Sequence, residues 1–327
     1  MLRLALDIGR SDTRCSLGER SPSPARVRCH PDENWARLEA MENAVARTAL
    51  GPMLIAAVEQ YEHPPLLRDD LARRILPGVT GAVAGLARWS PVRHQLVKVV
   101  ERQVPGLWGS MLCRKRYIDD TLAASASAAE AVVILGAGFD TLAYRLPALA
   151  GTTVYEVDHP ANSARKRAAV TRMLGSFPES VTQVPIDFET QDLGEELTKR
   201  GYDGTAKTFF VWEAVTQYLT EAGVRKTFGF LRTAPAGSRL TFTFLRKDFL
   251  DGVELYGAEA AYRGFVVKRG LWRFGFAPEE VAGFLAEYGW REVEQMGPAE
   301  FSARYIEPSG RVMPVSEVER SVHAEKV

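Results

Sequence analysis

The sequence has few of the residues that mark a disulfide-linked or metal-binding protein. Its three cysteines, Cys15, Cys29 and Cys113, are odd in number and far apart, so they suggest neither a disulfide framework nor a paired metal motif. The five histidines also lack the spacing of zinc ligands. This composition predicts a reducing, cytoplasmic location and no metal site.

Long apolar runs and an excess of one charge are missing as well. No apolar segment approaches the roughly 18 residues that a membrane-spanning helix needs, and the N-terminus lacks the apolar region of a signal peptide. Lys and Arg total 41, as do Asp and Glu, which argues against a nucleic acid or a membrane as partner. The chain has 327 residues, 46% of them hydrophobic, and can therefore bury a sizeable core.

The sequence pattern divides the chain into three parts. Residues 1–33 are expected to be a poorly ordered extension or a short hairpin, and the helical spacing of apolar residues over 34–129 predicts a helical cap. Over 130–327, short β-like runs alternate with helices, which is typical of a parallel sheet covered on both faces. We expect strands near 131–136, 153–157, 181–185, 207–213 and 238–245, and helices near 139–148, 160–175, 192–200, 220–233 and 278–288.

The first two strand ends carry residues suited to a cofactor that contains adenosine. Gly136 and Gly138 follow the first strand, where glycine lets the backbone come close to a ligand. Thr141 stands where a dinucleotide-binding fingerprint has its third glycine, which disfavours NAD. Asp158, about twenty residues further on, can accept hydrogen bonds from both hydroxyls of a ribose, in nicotinamide and methionine-derived cofactors alike.

Acidic residues at the third and fourth strand ends favour the methionine-derived cofactor. Asp187 is placed to accept a hydrogen bond from the amino group of adenine, and the Phe188 backbone N–H is placed to donate one to a ring nitrogen. Glu213 ends an apolar run, where a carboxylate is costly unless it is paired or reaches a pocket. A cofactor that carries an ammonium and a sulfonium would supply the positive charge that Glu213 needs. The alternative is that Glu213 only caps a helix or forms an ion pair within the protein.

Five segments together resemble one enzyme family: RKRYIDD, ILGAGFDTLAYRLP, YEVDHP, PIDFE and FVWEAVTQYLT. They are similar to the class I S-adenosylmethionine-dependent methyltransferases of the leucine carboxyl methyltransferase family, especially an actinobacterial branch that includes polyketide O-methyltransferases. The resemblance runs from about residue 47 to the C-terminal region. It implies a Rossmann-like α/β fold with a seven-stranded, mostly parallel sheet whose last strand, near 318–324, is antiparallel. It also implies a lid over the acceptor site at 246–276, inserted after the fifth strand.

The resemblance implies S-adenosyl-L-methionine as the cofactor and gives each candidate residue a role. Gly136 and Gly138 correspond to the glycines beside the methionine portion, Asp158 to the ribose ligand, and Asp187 with Phe188 to the adenine-side pair.

For the methionine end of the cofactor, the sequence leaves open which of two arginines binds the carboxylate. Glu213 corresponds to the acid near the methionine ammonium. In this family an arginine of the helix before the first strand meets the methionine carboxylate, and both Arg114 and Arg116 fit the pattern.

No catalytic base is evident, which favours a carboxylate as the methyl acceptor. A carboxylate is its own nucleophile at neutral pH, whereas a hydroxyl gains from deprotonation, and only His159 follows a strand end directly. We expect a small-molecule acceptor, such as a polyketide or peptide product. Arg304 and Tyr305 are candidates to hold its carboxylate, with Tyr218 as a pocket wall; an ion pair of Arg304 with Glu300 or Glu307 is the alternative.

Two functions of other classes stay open at this point. One is an NAD-dependent oxidoreductase on a similar sheet, and the other is a non-catalytic cofactor-binding protein whose helical cap docks a partner. The sequence also leaves open the identity of the acceptor, a carboxylate or a hydroxyl as nucleophile, and a monomer or a homodimer.

Overall fold

The computed structural model of the protein describes residues 50–188 and 190–327. The expectations for residues 1–33, and for the cap before residue 50, lie outside the described residues. The boundary near residue 130 and the lid at 246–276 stay predictions.

Helices fill the chain between residue 50 and the first strand, as the apolar spacing predicts. They are α1 (Leu50–Glu59), α2 (Ala72–Ile75), α3 (Gly78–Leu86), α4 (Ser90–Glu101) and α5 (Leu107–Ser125). Proline punctuates them: α3 begins directly after Pro77, and Pro91 occupies the first turn of α4, where no backbone donor is lost. The buried faces of these helices form one apolar cluster with α7, defined below, and with residues 296–306.

In the described part of the chain, eight strands form a single sheet. They are β1 (Ala131–Leu135), β2 (Thr153–Asp158), β3 (Val181–Pro185), β4 (Thr208–Trp212), β5 (Arg239–Arg246), β6 (Gly275–Phe276), β7 (Trp290–Met296) and β8 (Glu319–Lys326). The order is β3-β2-β1-β4-β5-β8-β7, with the short β6 paired to the end of β5. Strand β8 runs antiparallel to both β5 and β7. The predicted sheet of seven strands with an antiparallel last strand is therefore confirmed, with β6 as an addition.

The central strands are buried on both faces because helices cover the sheet on both sides. Every residue of β1 and β4 is buried. Alternate residues belong to different apolar clusters, with Val133 and Phe210 on one face and Val132 and Phe209 on the other. Strands that are buried on both faces are continuous apolar runs in the sequence. Their predicted bounds therefore lie close to the observed ones.

The remaining helices lie between and after the strands. They are α6 (Leu142–Arg145), α7 (Pro160–Leu174), α8 (Leu193–Thr198), α9 (Glu221–Leu231), α10 (Lys247–Leu250), α11 (Glu259–Ala261), α12 (Val281–Glu287) and α13 (Pro298–Phe301), with π-helical turns at Tyr262–Lys268 and Ser302–Ile306. Helix α6 is much shorter than the predicted 139–148. Leu146 adopts an extended conformation before Pro147, as residues before proline prefer, and this ends the helix.

A buried ion pair fixes α7 against β2 and against the loop after β1. Lys166 Nζ lies 2.6 Å from Glu156 Oε1, and each side chain is only 2% exposed. Lys166 also donates to the Ala137 carbonyl at 3.0 Å, and the Tyr144 hydroxyl donates to Glu156 at 2.7 Å. Burial alone raises the pKa of Glu156, and Lys166 opposes this shift.

Replacing Lys166 by Met should therefore destabilise the protein strongly. The change leaves Glu156 as a buried carboxylate without its cation, a loss on the order of 3–5 kcal/mol. Urea unfolding followed by circular dichroism measures the effect. Lys199→Met is the matched control, because Lys199 forms an exposed pair with Glu196 and its loss should barely move the urea midpoint. Equal effects of the two substitutions would contradict the assigned role of Lys166.

Candidate active site

A cavity of about 790 Å³ lies at the carboxyl ends of β1, β2, β4 and β5. Helices α1, α4 and α5 and the segment 261–272 close its other side. The volume is in the range that encloses small ligands and cofactors, and this edge of a parallel sheet is where such folds bind them.

Most of the residues predicted at the site line this cavity, and some do not. The lining includes Arg114, Gly136, Gly138, Asp158, Phe188, Glu213 and Tyr218. Four predicted residues are not part of it: Arg116, Asp187, Arg304 and Tyr305.

The loop after β1 approaches β4 and β2 closely. Gly136 and Gly138 have φ angles of 73° and 45°, which favour glycine. A Cβ atom on Gly136 would lie 2.2 Å from Val215 Cγ2, so packing by itself requires glycine there. The Gly138 N–H donates to Asp158 Oδ2 at 2.5 Å. The loop and the predicted ribose ligand are thus held together.

Asp158 already accepts three hydrogen bonds. Besides Gly138, the His159 N–H and Asn162 Nδ2 both donate to Oδ1, at 2.7 and 2.8 Å. A carboxylate has about four acceptor sites, which leaves one for a ribose hydroxyl. A second hydroxyl would have to share a site with one of these donors.

Arg114 is the buried cation at the floor of the cavity. Its side chain is 2% exposed; its Nε donates to Glu213 Oε1 at 2.7 Å, and its guanidinium also pairs with Glu319 on β8. Burial by itself would lower the pKa of Arg114, but the two glutamates outweigh it and raise the pKa, so the charge is kept.

Arg116 lies on another face of α5. Residues two apart on an α-helix point about 200° apart around its axis. The Arg116 side chain is 42% exposed and donates to Asp120 at 2.9 Å and to the Leu66 carbonyl at 3.1 Å. Of the two arginines that the sequence left open, only Arg114 lies in the cavity wall.

A second ion pair, which the sequence reasoning missed, lies beside Arg114. Lys115 Nζ pairs with Asp140 and is 3.5 Å from Glu213 Oε2. Burial opposes the charged form of Asp140, but Lys115 and Arg145 outweigh it and hold its pKa well below the usual range. Lys115 lies in the segment RKRYIDD but has no predicted role there, and Asp140 is recognisable from the sequence only as a helix-start residue, which it also is through its bond with the Leu142 N–H at 2.6 Å.

Ala214, directly after Glu213, has an uncommon backbone conformation with a φ of 56°. Strand β5 holds the turn in place: the Ala214 N–H donates to Thr243 Oγ1, and Thr216 Oγ1 donates to the Thr243 carbonyl, both at 2.8 Å. Strain of this kind clusters at functional sites, and here it lies directly after Glu213.

Comparisons with known proteins place the chain in a family. The model of the family described as leucine carboxyl methyltransferase matches residues 49–232, more than half of the chain. The chain belongs to the leucine carboxyl methyltransferase family.

Similar proteins agree with this assignment. A predicted S-adenosyl-L-methionine-dependent methyltransferase of Mycolicibacterium paratuberculosis is 28% identical over 84% of this chain and 89% of its own length. One of Mycobacterium ulcerans is 29% identical over 85% and 91%. A solved structure of a predicted methyltransferase from Thermobifida fusca shares the fold at 18% identity, with a TM-score of 0.53 over 78% of this chain and 94% of that one. The predicted enzyme class, an S-adenosylmethionine-dependent methyltransferase, is confirmed, and it replaces the NAD-dependent oxidoreductase alternative.

The floor of the cavity has the chemistry that the cofactor of this methyltransferase family requires. Four carboxylates line it, Asp140, Asp158, Glu213 and Glu319, against the cations Arg114 and Lys115. Within the described part of the chain, the buried Glu319 Oε1 has no hydrogen-bond partner. This excess of acidic groups fits a ligand with an ammonium and a sulfonium.

The adenine-side pair is only partly at the cavity. Phe188 lines it and packs on the core, whereas Asp187 does not line it. Asp187 Oδ2 accepts from Thr190 Oγ1 at 2.8 Å, and its N–H donates to Gln191 Oε1 at 2.9 Å. Contact of either residue with adenine stays a prediction.

The structure places Arg304 and Tyr305 outside the cavity. Arg304 donates to Glu294 Oε2 on β7 at 2.9 Å and lies over the Tyr117 ring, 5.8 Å from its centroid. Tyr305 packs against Phe301. The predicted role of the two residues in holding an acceptor therefore finds no support. An ion pair was the expected alternative, but its partner comes from β7 and not from Glu300 or Glu307.

In 50–188 and 190–327, no group of three or more His, Cys, Asp or Glu side chains is placed to hold a metal ion. No helix in that part of the chain is long and apolar enough to cross a membrane.

Replacing Arg114 by Met should weaken S-adenosyl-L-methionine binding at least tenfold. The substitution removes the cation that orients Glu213 and Glu319 and leaves Lys115 alone to balance the acids of the floor. Titration calorimetry measures the affinity, and thermal unfolding checks that the variant folds. Arg116→Met is the control and should change the affinity less than twofold. An equal loss in both variants would show that the position of Arg114 in the cavity wall has no bearing on the cofactor.

Proposed function

We propose that this methyltransferase transfers a methyl group to the carboxylate of a small, largely apolar molecule, with a hydroxyl as the second choice. The observation behind this proposal is the other end of the cavity. Its lining is mainly apolar and aromatic: Leu50, Met53, Leu54, Leu96, Val100, Leu107, Trp108, Met111, Tyr218, Phe265 and Trp272. Such a wall suits the apolar body of a polyketide or peptide product and excludes water from the reacting groups.

We assign the cofactor to the acidic floor of the cavity. Arg114 and Glu213 would hold the carboxylate and ammonium of its methionine portion, Gly136 and Gly138 would give it room, and Asp158 would bind the ribose. When bound, S-adenosyl-L-methionine supplies an activated methyl group on a positively charged sulfur. The protein then has to orient the acceptor and exclude water.

Among the described residues that line the cavity, no histidine is an evident general base, and the four carboxylates belong to the floor that we assign to the cofactor, which supports a carboxylate acceptor. His159 is the only histidine among the described residues that line it. Its ring accepts a hydrogen bond from the Ala161 N–H as the N-cap of α7, at 3.4 Å. A carboxylate is ionised at neutral pH without help, whereas a phenol with a pKa near 10 is not.

The acceptor end of the cavity also includes a cation. Arg269 lines it, with its guanidinium 5.5 Å from the centroid of the Phe265 ring. A guanidinium beside an apolar wall suits a molecule that joins a carboxylate to an apolar body. In this proposal the segment 246–276, which includes Arg269, is the lid of the acceptor site.

Transfer of a labelled methyl group tests the proposal. The purified protein is incubated with S-adenosyl-L-methionine carrying a tritiated methyl group and a panel of alkyl and aryl carboxylic acids, their primary amides, and phenols. We expect label in carboxylic acids only, and we expect mild alkali to release it as volatile methanol, because esters hydrolyse there and ethers do not. Glu213→Gln should abolish the signal.

Alkali-stable label in phenols would overturn the carboxylate assignment and leave the hydroxyl as acceptor. Cofactor binding without transfer to any member of the panel would count against the proposal and favour a non-catalytic, cofactor-binding role.

A further inference from the structure

Among the described residues, two buried polar atoms in residues of the acceptor wall have no hydrogen-bond partner. They are Gln217 Oε1 and Trp272 Nε1, and both residues line the cavity. An unsatisfied buried polar group costs on the order of 1–3 kcal/mol, so folded proteins contain few of them. Two such atoms in residues of one cavity wall indicate a role that the protein alone does not fulfil.

The tertiary structure brings these two residues together from distant parts of the chain. Gln217 lies in the turn after β4, four residues beyond Glu213, and Trp272 lies just before β6. The Arg273 N–H donates to the Gln217 carbonyl at 2.7 Å, and Arg273 Nε donates to the Tyr218 carbonyl at 3.1 Å. The segment before β6 is therefore joined to the turn that also carries Glu213.

Both side chains have a fixed base and a polar end. The Trp272 ring stacks on Phe265 with 4.4 Å between centroids and 11° between planes. Gln217 is 4% exposed, and the turn that carries it is held by the bond from Thr216 to the Thr243 carbonyl. The terminal torsion of a glutamine is broad, so its amide can turn to present N–H or oxygen to a ligand.

From this arrangement we infer that Gln217 and Trp272 bind the oxygen-bearing head group of the acceptor. The inference rests on the proposed function and adds the residues that select the acceptor. An indole N–H is only a donor, and the Gln217 amide offers N–H groups as well. A carboxylate accepts from the Trp272 N–H and, once the Gln217 amide has turned its NH2 group toward the ligand, from that group as well. The acceptor class is therefore an apolar molecule with an oxygen-bearing head group, which would lie beside this polar pair and the aromatic wall.

Binding measured without methyl transfer tests this inference. The full chain is saturated with S-adenosyl-L-homocysteine, the demethylated cofactor, and titrated by calorimetry with naphthalene-2-carboxylate or with naphthalene. We expect the wild type to bind the carboxylate at least tenfold more tightly than naphthalene. Trp272→Phe, which keeps the ring stack, and Gln217→Met, which keeps the length, should each weaken carboxylate binding about tenfold, as expected for a hydrogen bond to a charged group. Naphthalene binding should change less than twofold.

Two exposed residues outside the cavity provide matched controls. Trp89→Phe and Gln95→Met make the same chemical changes on the surface and should leave both affinities as they are. Equal binding of the two ligands by the wild type, or no binding of either, would overturn the inference. Unchanged carboxylate binding in both cavity variants would do so too. Thermal unfolding shows that each variant is folded.

The outcome is separable from that of the methyl-transfer assay. If both variants bind the carboxylate more weakly but no ester forms, the role of Gln217 and Trp272 is supported and the proposed reaction is contradicted. If an ester forms and both variants bind the carboxylate as the wild type does, the reaction is supported and the role of Gln217 and Trp272 is contradicted.

Discussion

The site depends on one buried ion group, Arg114 between Glu213 and Glu319. It joins the middle of α5 to the end of β4 and the start of β8, three elements that no short stretch of sequence contains. Burying a guanidinium is costly, and two carboxylates within bonding distance offset that cost only while all three stay in place. The position of the helical region on the sheet edge and the charge of the cavity floor therefore depend on the same contacts.

The neighbouring charges extend this constraint to the loop after β1. Lys115 links the same helix to Asp140, and Lys166 links α7 to Glu156 and to the Ala137 carbonyl. The glycine loop is held between these two lysines. A loop with positive φ angles at two glycines has many alternatives in an unfolded chain, and these contacts select one of them. Rigidity of this kind suits a site that works by positioning.

The two ends of the cavity differ in the way that a methyl transfer requires. The floor is built from the strand ends and from charged residues of α5. Most of its residues therefore lie on the elements that also form the sheet. The acceptor wall comes from α1, α4, α5 and the segment before β6, and is mostly apolar. The wall and the floor meet at the turn after β4, where Ala214 adopts its left-handed conformation and Gln217 contacts the segment before β6.

The sequence by itself determined the order of the first five strands, the helices between them and the residues at the strand ends. Those signals are local: apolar runs for buried strands, a glycine pair after β1, acids after β2 and β4. The tertiary structure alone decided which partners meet. Arg114 and not Arg116 lies in the cavity wall because of the rotation of α5, and Arg304 pairs with Glu294 because its turn lies against β7. Glu319, Gln217 and Trp272 have no role of their own in the sequence prediction, since each acts through a neighbour that only folding brings close. Pairing between residues of different elements follows no period or spacing in the sequence, so only the folded chain shows it.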